Sequence, residues 1–343
     1  MSAWQFRSPQ IWFTMGPQSC EPRVVRELLR AGATGVRLTF SYGSAELQCE
    51  RARLVRSCAS ELGVDVVIIA DLQGEKCRIA CVEGCNEIPV RQGMSARLVF
   101  AGAADVQSLV LPLQNPGPIM TIKLGDLIIE GDGAMVFRVE DVSAEGIRVT
   151  VQTDGVIRPG RGLLAVSSAF HPNAMTQKDI SDLNAVLECG LFDGIAVSFV
   201  ASPEDIVVAR RVMAETGVHL PIIAKIETEQ GISNLAEVAR AADALMAARG
   251  DLALTMNWVE LPHSVRAIAR AARDAGKPWI LATQLMEGLE KFSLPTRAEI
   301  CDLAQWLGCG AQGVMLSYET AFGSKPVQAV ELTRRLVERY GQK

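Results

Sequence analysis

The chain is expected to fold as an α/β protein, a (β/α)8 TIM barrel with a small all-β domain inserted after strand three. Three observations predict it. Apolar runs of strand length recur eight times, amphipathic helical stretches separate most of them, and one long interval breaks the alternation. Strands of a parallel sheet are covered by helices on both faces, so they read as continuous apolar runs. Eight such β/α units in sequence form the pattern that closes on itself.

The eight runs are Ile11–Met15, Gly35–Thr39, Asp65–Ala70, Gly194–Ser198, Pro221–Lys225, Ala244–Ala248, Trp279–Ala282 and Gly313–Leu316. Helical patterns fall at Glu21–Ala31, Ala45–Leu62, Gln177–Cys189, Pro203–Thr216 and Val259–Ala275. Thr176 stands where the helix after it needs a side-chain acceptor for its first N–H groups. From Arg78 to Ser168 the pattern changes to short strands of period two with Gly and Asp turns, as in Ala96–Phe100, Gly146–Gln152 and the turn Glu130-Gly131-Asp132-Gly133. The expected domains are residues 1–77 and 169–343 for the two parts of the barrel and 78–168 for the insert.

Composition narrows the function. The chain has 343 residues, 49% of them hydrophobic, which is enough for a barrel and an insert. With 34 basic and 39 acidic residues, a net charge of −5 and no basic run, nucleic acid is not an expected partner. No apolar run approaches the roughly 20 residues that span a bilayer, and the N-terminus lacks a signal-peptide core, so the expectation is no membrane and a cytoplasmic location. Nine cysteines in such a chain imply reduced thiols. Cys77, Cys81 and Cys85 lack the second pair a zinc site needs, and His171, His219 and His263 are scattered.

A parallel barrel places its chemistry at the C-terminal ends of its strands. Arg37, Thr39 and Ser41 follow strand two, and Asp71, Gln73, Lys76 and Arg78 follow strand three. Lys225 and Glu227 follow strand five, Arg249, Gly250 and Asp251 strand six, Thr283 and Gln284 strand seven, and Ser317 and Glu319 strand eight. This ring carries cations for an anionic substrate, carboxylates for a divalent metal and hydroxyls for proton relay. The run from Ala248 into Arg249-Gly250-Asp251 sets a carboxylate beside exposed backbone N–H, which can hold a cation and an anion together.

Eight segments go further. They are Thr14-Met15-Gly16-Pro17, Arg37-Leu38-Thr39-Phe40-Ser41-Tyr42-Gly43, Asp71-Leu72-Gln73-Gly74-Glu75-Lys76-Cys77-Arg78, Lys225-Ile226-Glu227, Ala248-Arg249-Gly250-Asp251-Leu252, Ala282-Thr283-Gln284, Pro295-Thr296-Arg297-Ala298-Glu299 and Met315-Leu316-Ser317-Tyr318-Glu319-Thr320-Ala321. In order and spacing they resemble the pyruvate kinase family, and the resemblance covers nearly the whole chain. It implies a phosphotransferase acting on phosphoenolpyruvate or pyruvate with Mg²⁺ or Mn²⁺, with the β insert as a mobile lid. Glu227 and Asp251 match the metal ligands. Lys225 matches the lysine that stabilises charge on the phosphoryl group and the enolate. Thr283, with Ser317 and Glu319, matches the part of the site that protonates the enolate. Arg37 and Arg78 match arginines near the transferred phosphate, and Ala248, Arg249, Gly250 and Asp251 the segment that cradles the substrate carboxylate.

The chain also departs from the family's pattern, and of the residues that differ Tyr42, Gln73 and Tyr318 lie in segments near the family's nucleotide and phosphate groups. Thr39 replaces an Asn, Tyr42 a His, Gln73 a Lys, Glu75 a Pro, Ala253 a Gly and Tyr318 a Gly. Lys76 replaces a Glu that accompanies bound potassium in many members; with Ser41 and Asp71 it forms the cofactor-binding side, and the resemblance implies that potassium is not required. The family's C-terminal regulatory domain is expected to be missing after Lys343. The expected phosphate acceptor is a nucleoside diphosphate, with ADP and ATP as the nucleotides, and a homo-oligomer is left open. The alternative is a metal-dependent lyase or aldolase that uses a pyruvate enolate from a 2-oxo acid; a non-catalytic binding protein comes third. Lys225→Met is expected to remove the catalytic charge and spare folding.

Overall fold

A computed structural model describes residues 9–131, 133–166 and 173–342. Eight parallel strands close into a barrel: Gln10–Thr14, Gly35–Thr39, Val67–Asp71, Gly194–Val197, Ile222–Ile226, Ala244–Ala248, Trp279–Ala282 and Gly313–Leu316. Each pairs with the next in sequence, and the last pairs with the first through Gln10↔Gly313 to Phe13↔Leu316. Four of the eight have the bounds read from sequence, and Gly194–Val197 ends one residue earlier than expected. The third starts two residues later than expected, at Val67 opposite Gly35, and ends one residue later, because Asp71 extends the ladder opposite Thr39. The fifth begins at Ile222, since Pro221 has no N–H to give the ladder.

The helices Ala45–Leu62, Gln177–Cys189 and Pro203–Thr216 have the expected bounds. Thr176 caps as expected, and Asp179 returns a bond to its backbone to complete a capping box. The expected helix Val259–Ala275 is instead a 3₁₀ turn, Trp258–Glu260, followed by the helix Leu261–Asp274. Pro262 cannot donate back to the preceding turn, so the α-helix starts beside it.

The chain forms two compact units, Met1–Gly74 with Ala174–Gly250 and Pro262–Lys343, and Glu75–Asn173 with Asp251–Leu261. The expected junction at 168–169 lies outside the described residues, as does His171. Inside the first unit the barrel is filled by alternating large and small side chains, among them Trp12, Ile69, Ala196, Ile223, Met246, Ile280 and Met315. That filling leaves the strand ends for the charged side chains Arg37, Asp71, Lys225 and Glu227.

In the second unit seven strands close into another barrel: Cys77–Ile79, Ser95–Val99, Val110–Gln114, Leu127–Glu130, Met135–Val142, Gly146–Val151 and Gly162–Val166. Its pairs are antiparallel except Ser95–Val99 with Val110–Gln114. Leu98, Leu111, Ile128, Phe137, Val149 and Leu163 fill the interior. Glu130 is buried there as well, and its Oε1 accepts from the Arg158 backbone N–H at 2.9 Å. Burial pushes the Glu130 carboxyl above the usual carboxylate range, and that N–H and the arginines Arg161 and Arg158 reverse the push only in part.

Candidate active site

Within the first unit, the ends of strands three, four and five meet at one charged centre. Lys225 is 7% exposed, and Asp71 and Glu227 are each 2% exposed. The Lys225 Nζ lies 3.2 Å from Asp71 Oδ1 and 3.1 Å from Glu227 Oε1, and it donates to the Ser198 hydroxyl at 2.7 Å. Ser198 in turn donates to the Leu72 carbonyl at 2.7 Å. The second oxygen of Glu227 accepts from the Phe199 N–H at 2.8 Å. Asp71 also pairs with Arg37 Nε, whose Nη1 reaches the Thr14 hydroxyl at 3.3 Å. Burial alone would push the Asp71 carboxyl up; Arg37 and Lys225 outweigh it and hold the group below its ordinary range.

Sequence gives no direct sign of Ser198, although it ends an apolar run at the height of the other site residues. Gly74 makes room for it. The Gly74 φ is +67°, and a Cβ there would come within 2.9 Å of the Ser198 Cβ and 2.8 Å of the Phe199 ring. Ser41 lies beyond strand two, where its N–H donates to the Thr39 hydroxyl at 3.3 Å. The buried Gln48 ties that loop down by donating to the Thr39 and Tyr42 carbonyls at 2.9 and 2.7 Å.

At the ends of strands six, seven and eight the geometry is different. Thr283 and Gln284 are left-handed, with φ of 77° and 54°. The Arg249 guanidinium donates to the Ala282 and Thr283 carbonyls at 3.2 and 2.6 Å and to Asp302 at 2.6 Å. Glu319 accepts from the Leu285 and Met286 N–H groups at 2.8 and 3.0 Å and from the Ser317 N–H at 2.7 Å. The structure therefore places Arg249 and Glu319 on backbone. Asp302, which the sequence reading missed, pairs with Arg249.

The second unit holds the other site candidates. Lys76 Nζ contacts both oxygens of Asp251, at 2.7 and 3.0 Å. Arg78 is buried and donates to the Gly160 carbonyl at 2.9 Å. Glu75 accepts from the Asn173 N–H at 2.9 Å and its side-chain amide at 2.6 Å, which joins the two chain segments where this unit begins and ends. Asp251 lies in the helix Arg249–Thr255, which starts directly after strand six. Among the described residues no group of three or more His, Cys, Asp or Glu gathers as a metal-binding cluster. A pair of carboxylates suits a hard cation that keeps water and substrate oxygens, not a caged zinc.

Comparison with known proteins decides the family. The family model described as "Pyruvate kinase, barrel domain" matches residues 6–330. The chain belongs to the pyruvate kinase family. It is 34% identical to a pyruvate kinase of Agrobacterium vitis over 333 residues, 97% of this chain and 69% of that protein. A pyruvate kinase of Chlamydia trachomatis serovar D is 34% identical over 95% of the chain and 67% of its own length. One from Chlamydia pneumoniae is 32% identical over 94% of the chain and 66% of its own length. The chain thus spans about two thirds of the length of these relatives. All are named as kinases of pyruvate, which does not favour the lyase alternative. The described residues contain no helix long and apolar enough to cross a membrane.

Proposed function

We propose that this member of the pyruvate kinase family transfers a phosphoryl group between phosphoenolpyruvate and a nucleoside diphosphate. The observation that carries the reading is Lys225, a buried cation at a strand end, held by Asp71, Glu227 and the Ser198 hydroxyl. Phosphoryl transfer asks the protein mainly for positioning and for neutralisation of negative charge. A fixed ammonium does both for the bridging oxygen as it becomes an enolate. Arg37, itself fixed on Asp71, supplies a second positive group for the phosphoryl oxygens. Thr283 stands at the turn after strand seven as the hydroxyl on the protonation side.

Glu227 and Asp251 are proposed as ligands of Mg²⁺ or Mn²⁺, on the resemblance and on the chemistry of their oxygens. The metal would supply Lewis-acid charge when bound. Ser41, Asp71 and Lys76 are the proposed counterpart of the monovalent-cation position, with the Lys76 ammonium in the cation's place. Activity should therefore be equal in potassium and in tetramethylammonium at equal ionic strength, and a strong potassium requirement would refute that role. Arg78, Gly250 and the Ala248 carbonyl end complete the proposed substrate side. The β-rich unit, approximately residues 78–168, is proposed as a lid over the reaction, whose closure excludes water.

The test is a coupled assay of pyruvate formation from phosphoenolpyruvate with Mg²⁺, across several nucleoside diphosphates and without nucleotide. Formation that requires a nucleoside diphosphate is the expected result. Pyruvate released equally well without nucleotide, or only from a 2-oxo acid, would overturn the reading.

A further inference from the structure

The turn after strand seven is held from both sides. Thr283 is β-branched, and such residues rarely adopt a left-handed φ of 77°; here Gln284 follows at 54°. Backbone of this kind persists only where its surroundings over-determine it, and it concentrates at functional sites. The carbonyl groups of the turn face Arg249. Its Nε donates to Ala282 O at 3.2 Å, and its Nη2 to Thr283 O and Gln284 O at 2.6 and 3.3 Å. Its Nη1 is pinned by Asp302 at 2.6 Å, and the other oxygen of Asp302 accepts from the Trp306 indole at 2.7 Å. The next two N–H groups, of Leu285 and Met286, are taken by one oxygen of Glu319, while its other oxygen holds the Ser317 N–H.

We propose that Arg249 and Glu319 are positioning residues that hold Thr283 in its left-handed turn, so that the hydroxyl faces the enolate, with Asp302 locking Arg249 in place. The proposal rests on the reading of Thr283 given above. It removes Arg249 from direct substrate binding and Glu319 from direct proton donation. Three backbone N–H bonds shared over both oxygens fix the Glu319 carboxylate as an acceptor for the turn. A guanidinium spread over three carbonyls and an aspartate is likewise spent on its own chain. The substitutions follow from that chemistry. Lysine at 249 keeps the charge but, as a compact ammonium, cannot span the same acceptors. Glutamine at 319 has one acceptor oxygen and cannot serve both the Leu285–Met286 side and Ser317.

The test uses the full chain with Mg²⁺ and three measurements. These are exchange of the pyruvate methyl protons with D₂O, kcat and KM for phosphoenolpyruvate with ADP, and amide exchange over residues 282–287. Arg249→Lys and Glu319→Gln should each slow methyl exchange by about 10²-fold with KM little changed, the loss typical of a group misplaced by about an ångström. Asp302→Asn, the mildest change, should show the same pattern more weakly, and all three should speed amide exchange in the turn. In a Thr283→Ala background, Arg249→Lys should cost nothing more, because it acts through the missing hydroxyl. Additive losses, or a raised KM at unchanged kcat, would show Arg249 binding substrate and overturn the proposal. A wild-type chain with neither methyl exchange nor pyruvate formation would sink the functional reading alone; the amide exchange then decides, and unchanged protection in the variants overturns the clamp.

Discussion

Asp71 in the parallel barrel and Glu130 in the β-rich unit are both buried carboxylates, and their surroundings treat them in opposite ways. Asp71 has Arg37 and Lys225 beside it and is held below the ordinary range. Glu130 has one backbone N–H at hydrogen-bond distance and more distant arginines, and burial pushes it up. Burial is the larger single influence on both, so the sign is set by whether cations are brought close enough to reverse it. The barrel spends its strand ends on that arrangement. The β-rich unit closes on Leu, Ile, Val and Phe, and the Glu130 carboxyl buried with them is pushed up by that burial. Charge at the strand ends is what a phosphoryl-transfer site requires, and the site proposed above lies in the first unit's barrel.

Substitutions at these positions can break the comparison. Asp71→Asn would leave the half-buried Arg37 without its anion and Lys225 with Glu227 alone, so a loss of about 3–5 kcal/mol in stability is expected from chemical denaturation. A loss below about 1 kcal/mol would mean that the pair is solvated and the contrast false. Lys225→Met comes next, at about 3 kcal/mol, because it strips the ammonium from Glu227 as well as from Asp71. The two buried carboxylates around the lysine argue against the expectation that this change spares folding. Gly74→Ala should cost about 1–3 kcal/mol, since the new methyl group meets Ser198 and Phe199 in a left-handed position. Circular dichroism melts would show it, and an unchanged midpoint would mean the loop gives way freely.

Glu130→Gln is the smallest effect and the sharpest in sign. The raised folded-state value of Glu130 means that its contribution is fully present below its unfolded value and is lost as pH rises through the folded one. Gln cannot ionise, so the variant should match the wild type in acid and gain on it toward neutral pH, by about 1 kcal/mol or less. For Asp71 the sign is reversed: its contribution is present above the unfolded value and lost as pH falls through the lowered folded one. Melting midpoints of wild type and both variants between acid and neutral pH check both signs together. A Glu130→Gln difference that shrinks toward neutral pH would break the comparison.

Much of the barrel was legible because buried parallel strands announce themselves as apolar runs. Ala244–Ala248, Trp279–Ala282 and Gly313–Leu316 were read with their observed bounds. Asp71, Lys225 and Glu227 were legible from their place at strand ends. What escaped reading depends on contacts between distant residues, which leave no periodic trace. Arg249 meets Asp302 53 positions later, and Lys76 meets Asp251 175 positions later. Ser198 only closes an apolar run, and the purpose of Glu319 emerges from the three N–H groups it faces. The helix before strand seven was drawn too early, because its periodicity continues past the proline that sets its start.

The most direct test sets wild type against Lys225→Met in one experiment: pyruvate formation from phosphoenolpyruvate and ADP, with Mn²⁺ binding followed by electron paramagnetic resonance at a temperature where both are folded. A preorganised cation facing developing charge contributes about 3–4 kcal/mol to the barrier, so turnover should fall by roughly 10²–10³ while Mn²⁺ still binds. Turnover near the wild-type rate in the folded variant would make Lys225 a purely structural partner of Asp71 and Glu227, and would contradict the catalytic centre proposed for this barrel.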